Sequence, residues 1–194
     1  MMKSWATTAA CALLTITAFL SISVLLSTPA QAEQGLEYKV KAAFLYNFIK
    51  FIDWPTDRLG ADDKSINVCL LGKDPFGPHL EPIQNRTAKG HAIRIVRLKD
   101  PTADLSTCRM LFTTTHNMRD VKSIADKIKG QAILTVGEAD GFASNGGMIG
   151  FVIRDGRIQL EINLERIKRE NISVSAKLLE IGVIVSDNAV EPAP

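Results

Sequence analysis

The sequence predicts an α/β fold of three layers: a mostly parallel sheet, helices on both faces, and a C-terminal antiparallel β-hairpin at one edge. Three observations carry this expectation. Short, near-continuous apolar runs alternate with polar helical or turn segments, as strands covered on both faces require. Asp155-Gly156 stands between two alternating segments, a strong hairpin signal. A helical apolar period precedes the first run.

From Leu36 to Asp53, the residues Leu36, Val40, Phe44, Phe48 and Ile52 recur at i, i+4, and Ala43, Leu45 and Ile49 widen the stripe. Lys39, Lys41, Asn47 and Lys50 fall outside it, so the segment reads as an amphipathic helix ended by Trp54-Pro55. Docking on the domain's own sheet accounts for the stripe. The alternative is that the outer side, with Tyr46, Phe51 and Trp54, is a partner surface. Strands are expected at Ile66 to Leu71, Ile93 to Leu98, Met110 to Thr114 and Ala132 to Val136. Between the last two lies a helix from Asn117 to Lys129, capped by Asn117, stopped by Gly130, with Val121, Ile124, Ala125 and Ile128 inward. Strand, helix and strand in repetition argue for parallel pairing. Met148 to Ile153 and Arg157 to Ile162 form the hairpin. Asn163 caps a helix through Lys168, and Ser175 starts a last helix whose Leu178 and Ile181 are further candidates for partner contact. The segment from Ser186 to Pro194 is polar and is expected to be a disordered tail.

The first residues set the compartment. Lys3, an apolar stretch from Ala9 to Leu26, and Pro29-Ala30-Gln31-Ala32 form the pattern of a secretory leader with an A-x-A cleavage site. The expectation is a cleaved signal peptide over residues 1–32, a mature start at Glu33 and one α/β domain over 33–185. A membrane anchor fits less well, because no basic stop-transfer flank follows. Losing Lys3 and no acid takes the formal charge from +2 to +1, which leaves no basic footprint for nucleic acid. Cys69 and Cys108 then remain, an even number in an oxidising compartment. One bridge between them is preferred, and two unpaired buried thiols are the alternative. In a flavodoxin-like order the first and third strands are neighbours, which puts the two cysteines within bonding reach.

Marks of catalysis are missing. The chain has no G-x-S-x-G elbow, no phosphate loop, no G-x-G-x-x-G after the first strand and no H-E-x-x-H. His79, His91 and His116 lack acidic partners at metal-site spacing, so neither a metal nor a cofactor is implied. The reading is therefore non-catalytic. The loop Gly137 to Gly147 is the most distinctive segment, and its glycines serve either turn geometry or an anion-binding nest. A small-ligand site, if present, belongs at the C-terminal strand ends, with Lys73, His116, Gly146 and Gly147 as its candidate residues.

Three blocks, "EYKVKAAFLYNFIKFIDWP" (37–55), "EADGFASNGGMIGFVIRDGRIQLEINL" (138–164) and "ISVSAKLLEIGVIV" (172–185), resemble in order the signature blocks of the YfiR family of exported proteins. The resemblance implies a periplasmic repressor of an inner-membrane, YfiN-like diguanylate cyclase, bound through that enzyme's periplasmic domain, so that cyclic di-GMP falls. It also implies release by an outer-membrane lipoprotein, and dimers in some members. Cys69 and Cys108 fall on a family cysteine pair, whereas Ala143 and Glu161 stand in the neighbourhood where some members carry a second pair. The alternative function is a periplasmic small-molecule sensor acting on a sensor kinase or another membrane partner.

Overall fold

The apolar runs form strands almost residue for residue. A computed structural model describes residues 29–58, 65–100 and 102–187, with side chains from Glu33 onward. The chain divides into Met1–Gly35, of which only the first turns of a helix are described, and Leu36–Pro194, which carries the sheet. The leader expected over residues 1–32 therefore lies outside the described residues, except for the backbone of 29–32.

Helix α1 (Pro29–Phe51) runs into a two-residue strand β1 (Ile52–Asp53). The following elements are β2 (Ser65–Leu71), a 3₁₀ turn at Gly77–Leu80, β3 (Thr87–Ala88), β4 (His91–Leu98) and β5 (Met110–Thr113). Helix α2 (Met118–Lys127), β6 (Leu134–Gly137), β7 (Ile149–Arg154) and β8 (Arg157–Ile162) come next. Helix α3 (Leu164–Arg169), β9 (Ser173–Val174), α4 (Ala176–Leu179) and β10 (Gly182–Ile184) complete the described chain.

Eight strands make one sheet in the order β10-β8-β7-β6-β5-β2-β4-β3, and β1 pairs with β9 apart from it. Pairing is parallel except for the β7–β8 hairpin and the β3–β4 edge. The first and third long strands are neighbours, with Val68 opposite Met110 and Cys69 opposite Leu111. Asp155 and Gly156 both take positive φ, as a two-residue turn between right-twisted strands demands. The Asn117 carboxamide accepts from the Arg119 N–H, and that of Asn163 from Arg166, so both expected caps form.

Side-chain alternation along each strand sends one set to each face. Ile66, Val68 and Leu70 of β2 meet Leu45, Phe48 and Ile49 of α1, while Cys69 and Leu71 face Leu111, Ile128 and Ile133. The face of α1 differs from the expected one. The buried positions are Lys41, Ala42, Leu45, Phe48, Ile49 and Ile52; Leu36, Val40 and Ala43 point outward. A strict i+4 series advances 40° more than a full turn at each step, so its first members have rotated off the face that its last members occupy.

The C-terminus differs too. Where the last helix was expected to carry Ile181, the chain leaves α4 after Leu179 and adds β10 parallel to β8, outside the hairpin. Gly182 permits this: a Cβ there would lie 2.5 Å from Ile162 Cδ1. Of the expected tail, Ser186 and Asp187 are described, and Asp187 is bonded to Asn163 and Arg166; the remainder, 188–194, lies outside the described residues.

Candidate functional site

The C-terminal strand ends were the predicted location of a ligand site, and two features meet there. The first is a cleft of about 420 Å³ over the ends of β2 and β5, lined by Leu71, Gly72, Thr113, Thr114 and Thr115 and, from α2, by Asp120, Ser123 and Lys127, with Lys99 alongside. The chain crosses from β2 to β4 on one side and from β5 to β6 on the other, which makes this the crevice where open α/β sheets bind ligands. The Thr115 hydroxyl donates to Asp120 at 3.1 Å, and Lys127 donates to the Ala103 carbonyl at 2.8 Å.

The second feature was not foreseen. Lys41, 3% exposed, lies between Glu37 at 2.5 Å and Glu138 at 2.7 Å, and the Tyr38 hydroxyl donates to both Glu138 oxygens at 3.0 and 3.2 Å. Its ammonium also stands 4.8 Å from the Tyr38 ring centre and 5.8 Å from that of Phe151. Burial raises the Tyr38 phenol above its ordinary range, and the charge and hydrogen bond of Glu138 add to the effect. The network fastens the start of the glycine-rich loop to α1. Its sequence signal was available: Lys41 is spaced 4, 7, 8 and 11 residues from Leu45, Phe48, Ile49 and Ile52, the helix face that is buried.

The predicted ligand residues are not gathered. Lys73 and His116 are exposed, and neither lines the cleft. Gly146 and Gly147 are buried and do not line it either. A Cβ on Gly147 would sit 2.1 Å from the Phe142 ring and one on Gly137 2.4 Å from it, so these glycines admit an aromatic ring and do not build an exposed nest. Of the predicted partner residues, Trp54 is buried with its indole N–H donating to the Arg109 carbonyl at 3.0 Å, and Leu178 is fully buried. These two are core residues, because an indole or isobutyl group gains more by filling the α1-side core than by facing water. Tyr46 and Phe51 are half-buried against that core. Ile181 is exposed, in company with Val183, Ile184 and Ile153.

Cys69 and Cys108 are bonded, with Cα atoms 5.8 Å apart and both residues fully buried. The bridge joins β2 to the residue two before β5 and sits in the small core beneath α2. No group of His, Cys, Asp and Glu among the described residues could hold a metal ion. No helix among the described residues is long and apolar enough to cross a membrane.

The described residues thus form a doubly wound domain whose sheet is stapled by one disulfide. The YfiR/HmsC-like family (DUF4154) matches residues 38–183, and the chain belongs to that family, which is regulatory and not an enzyme class. No curated protein matches the chain. Among solved structures, that of MppP soaked with the product 2-ketoarginine is similar at 12% identity with a TM-score of 0.30, over 78% of this chain. The chain spans about half of that protein, covering 53% of it.

Proposed function

We propose that this chain is a periplasmic, non-catalytic regulator that binds and represses an inner-membrane signalling partner, a diguanylate cyclase of the YfiN kind, and so lowers cyclic di-GMP. The observation that carries the reading is the family match across residues 38–183. Export of the chain with loss of residues 1–32 belongs to the same reading. The Cys69–Cys108 bridge supports it, since such bonds persist in oxidising compartments. The contact surface is the outer edge of β10, where Val183 and Ile184, with Ile181 just before them, are exposed on a strand that has one unpaired side among the described residues. The partner is the periplasmic domain of the cyclase, and an outer-membrane lipoprotein competes for the repressor. Repression by binding needs only differential affinity: a preference of ~2.7 kcal/mol for the inactive state shifts the partner's equilibrium about a hundredfold.

Deleting the gene in a strain with an intact cyclase tests the proposal. Cyclic di-GMP rises, and complementation with an Ile181→Lys, Val183→Lys chain leaves it high while the purified variant keeps its fold. An unchanged nucleotide level removes the cyclase as partner. Sizing of the purified protein tests the dimer that the family resemblance implies.

The cleft over β2 and β5 favours a second reading, a small-molecule sensor whose ligand sets affinity for a sensor kinase or other membrane partner. A thermal-shift screen of the mature protein separates the two. A ligand that stabilises the parent and not a Thr114→Val variant places the site there.

A further inference from the structure

On the opposite side of α2 from the β2–β5 cleft, a second cleft of about 420 Å³ runs between α2 and α3. Lys129, Arg166, Arg169, Gly146 and Met148 line it, with Thr135 among them. Thr135 is 3% exposed and its hydroxyl has no hydrogen-bond partner among the described residues. A buried hydroxyl left unpaired is costly, and one that lines a cleft is open to water or to a ligand that completes its bonding.

The guanidinium groups at this cleft already hold a carboxylate. Arg166 Nε donates to Asp187 Oδ1 at 2.5 Å, Asn163 Nδ2 donates to the same oxygen at 2.7 Å, and Arg169 Nη1 reaches Oδ2 at 3.3 Å. Asn163 is itself fixed: it is fully buried, its amide also donates to the Ala143 carbonyl at 2.9 Å, and its carbonyl caps α3. Arg166 Nη1 lies 3.4 Å from the Gly146 carbonyl. Two arginines and an amide converging on one carboxylate is the arrangement by which proteins recognise that group. The carboxylate comes from the chain itself, two residues after Val185, whose N–H donates to the Ile162 carbonyl at 3.0 Å and steers the segment toward α3. The acid on the far wall is committed elsewhere, since Glu170 accepts from the N–H groups of Gly130 and Ala132. Release of Asp187 would therefore leave Lys129, Arg166 and Arg169 at the cleft against Asp126 and Glu170, with Glu165 3.4 Å from Arg169.

We propose that Asn163, Arg166 and Arg169 form the receptor for a small hydroxy-carboxylate at this cleft, that Thr135 binds the ligand's hydroxyl, and that Asp187 is an internal occupant which the ligand displaces. The C-terminal segment is thereby freed when ligand binds. This inference goes beyond the repressor reading and does not depend on which membrane protein is the partner.

Lactate, acetate and inorganic phosphate serve as probes in titrations of the mature protein followed by amide chemical shifts of Gly146 and Thr135. A latch closed nine times in ten weakens apparent affinity about tenfold, so Asp187→Asn is expected to bind lactate about tenfold more tightly than the parent. Adding Arg166→Gln or the more exposed Arg169→Gln to that variant abolishes the gain. Thr135→Val lowers lactate affinity to that of acetate and leaves acetate unchanged. Equal or weaker lactate binding by a folded Asp187→Asn protein overturns the proposal. So does a response to phosphate with none to either carboxylate.

Discussion

The two faces of the sheet are built by different means. Beneath α1 the rings of Phe44, Phe48 and Phe151 pack against one another with centroids 5.9–6.1 Å apart, Phe76 meets Phe112 edge-on at 4.8 Å, and the aliphatic core spreads from β4 to β10's neighbour β8. Beneath α2 the buried sets are small: Leu71, Leu105, Leu111, Ile128 and Ile133 around the two cysteines, and Val121, Ala139 and Phe142 as a separate cluster. Both large clefts described above are lined by α2 residues. One face holds by burial, the other by a covalent link, and the face that leaves space for ligands is the one that needs the link. A helix packed tightly enough to do without the bridge would close the space on either side of it.

Truncation on the α1 face is expected to produce the largest effect. Phe48→Ala removes a fully buried ring and should cost about 3–5 kcal/mol in chemical denaturation. Lys41→Met is comparable, about 3–5 kcal/mol, because it strands Glu138 beside Glu37 without their cation. A Lys41→Met protein as stable as the parent would show that the network is dispensable to the packed face.

Opening the bridge comes next. A Cys69→Ser chain, which closes no loop across the sequence separation of 39, should lose on the order of 4 kcal/mol under oxidising conditions, and reductant should take nothing further from it. The loss is expected to appear first in hydrogen exchange of α2 and β5. Uniform loss over both faces would erase the distinction drawn between them. Gly147→Ala is smaller, about 1–3 kcal/mol, since the Phe142 ring must move from where the new methyl group would lie.

Acid should have the mildest effect. Burial pushes the Asp187 carboxyl up, but the hydrogen bond and charge of Arg166, with Asn163 and Arg169, outweigh it and hold the group below its ordinary value. A carboxyl depressed in the folded state contributes stability that is fully present above its unfolded pKa and lost as pH falls through the folded one. The C-terminal segment should therefore stay docked at neutral pH and detach only under strong acid, ahead of the sheet, as read by amide shifts of Val185 and Asp187.

Much of the fold was legible because parallel strands buried on both sides must be apolar throughout, which made β2, β5 and β6 stand out from their connections, while β4, where only Ile93 is buried, stood out by its β-branched residues. The hairpin was legible through Asp155-Gly156, whose shared positive φ few other pairs accept. What escaped depended on contacts between distant segments. β1, β3 and β9 are two residues each, defined by their partners and not by any period. β10 was hidden because Leu178, Leu179 and Ile181 keep helical spacing, while the close approach of Gly182 to Ile162 is visible only in three dimensions. Lys41 was misread for a different reason: a lysine suggests solvent, and its burial is affordable because Glu138, far along the chain, joins Glu37 in pairing with it.

The outermost strand of the wide sheet is also almost the last segment of the chain. Trimming by a protease just before Gly182 would strip β10 from β8 and lay bare a ladder of unpaired amides along Leu160 to Ile162. Such a nicked molecule would carry an open edge of six residues where there were three, and long open edges are the ones prone to pair copy to copy. β10 is thus a selvedge to the wide sheet, and losing it moves the open border inward onto the hairpin.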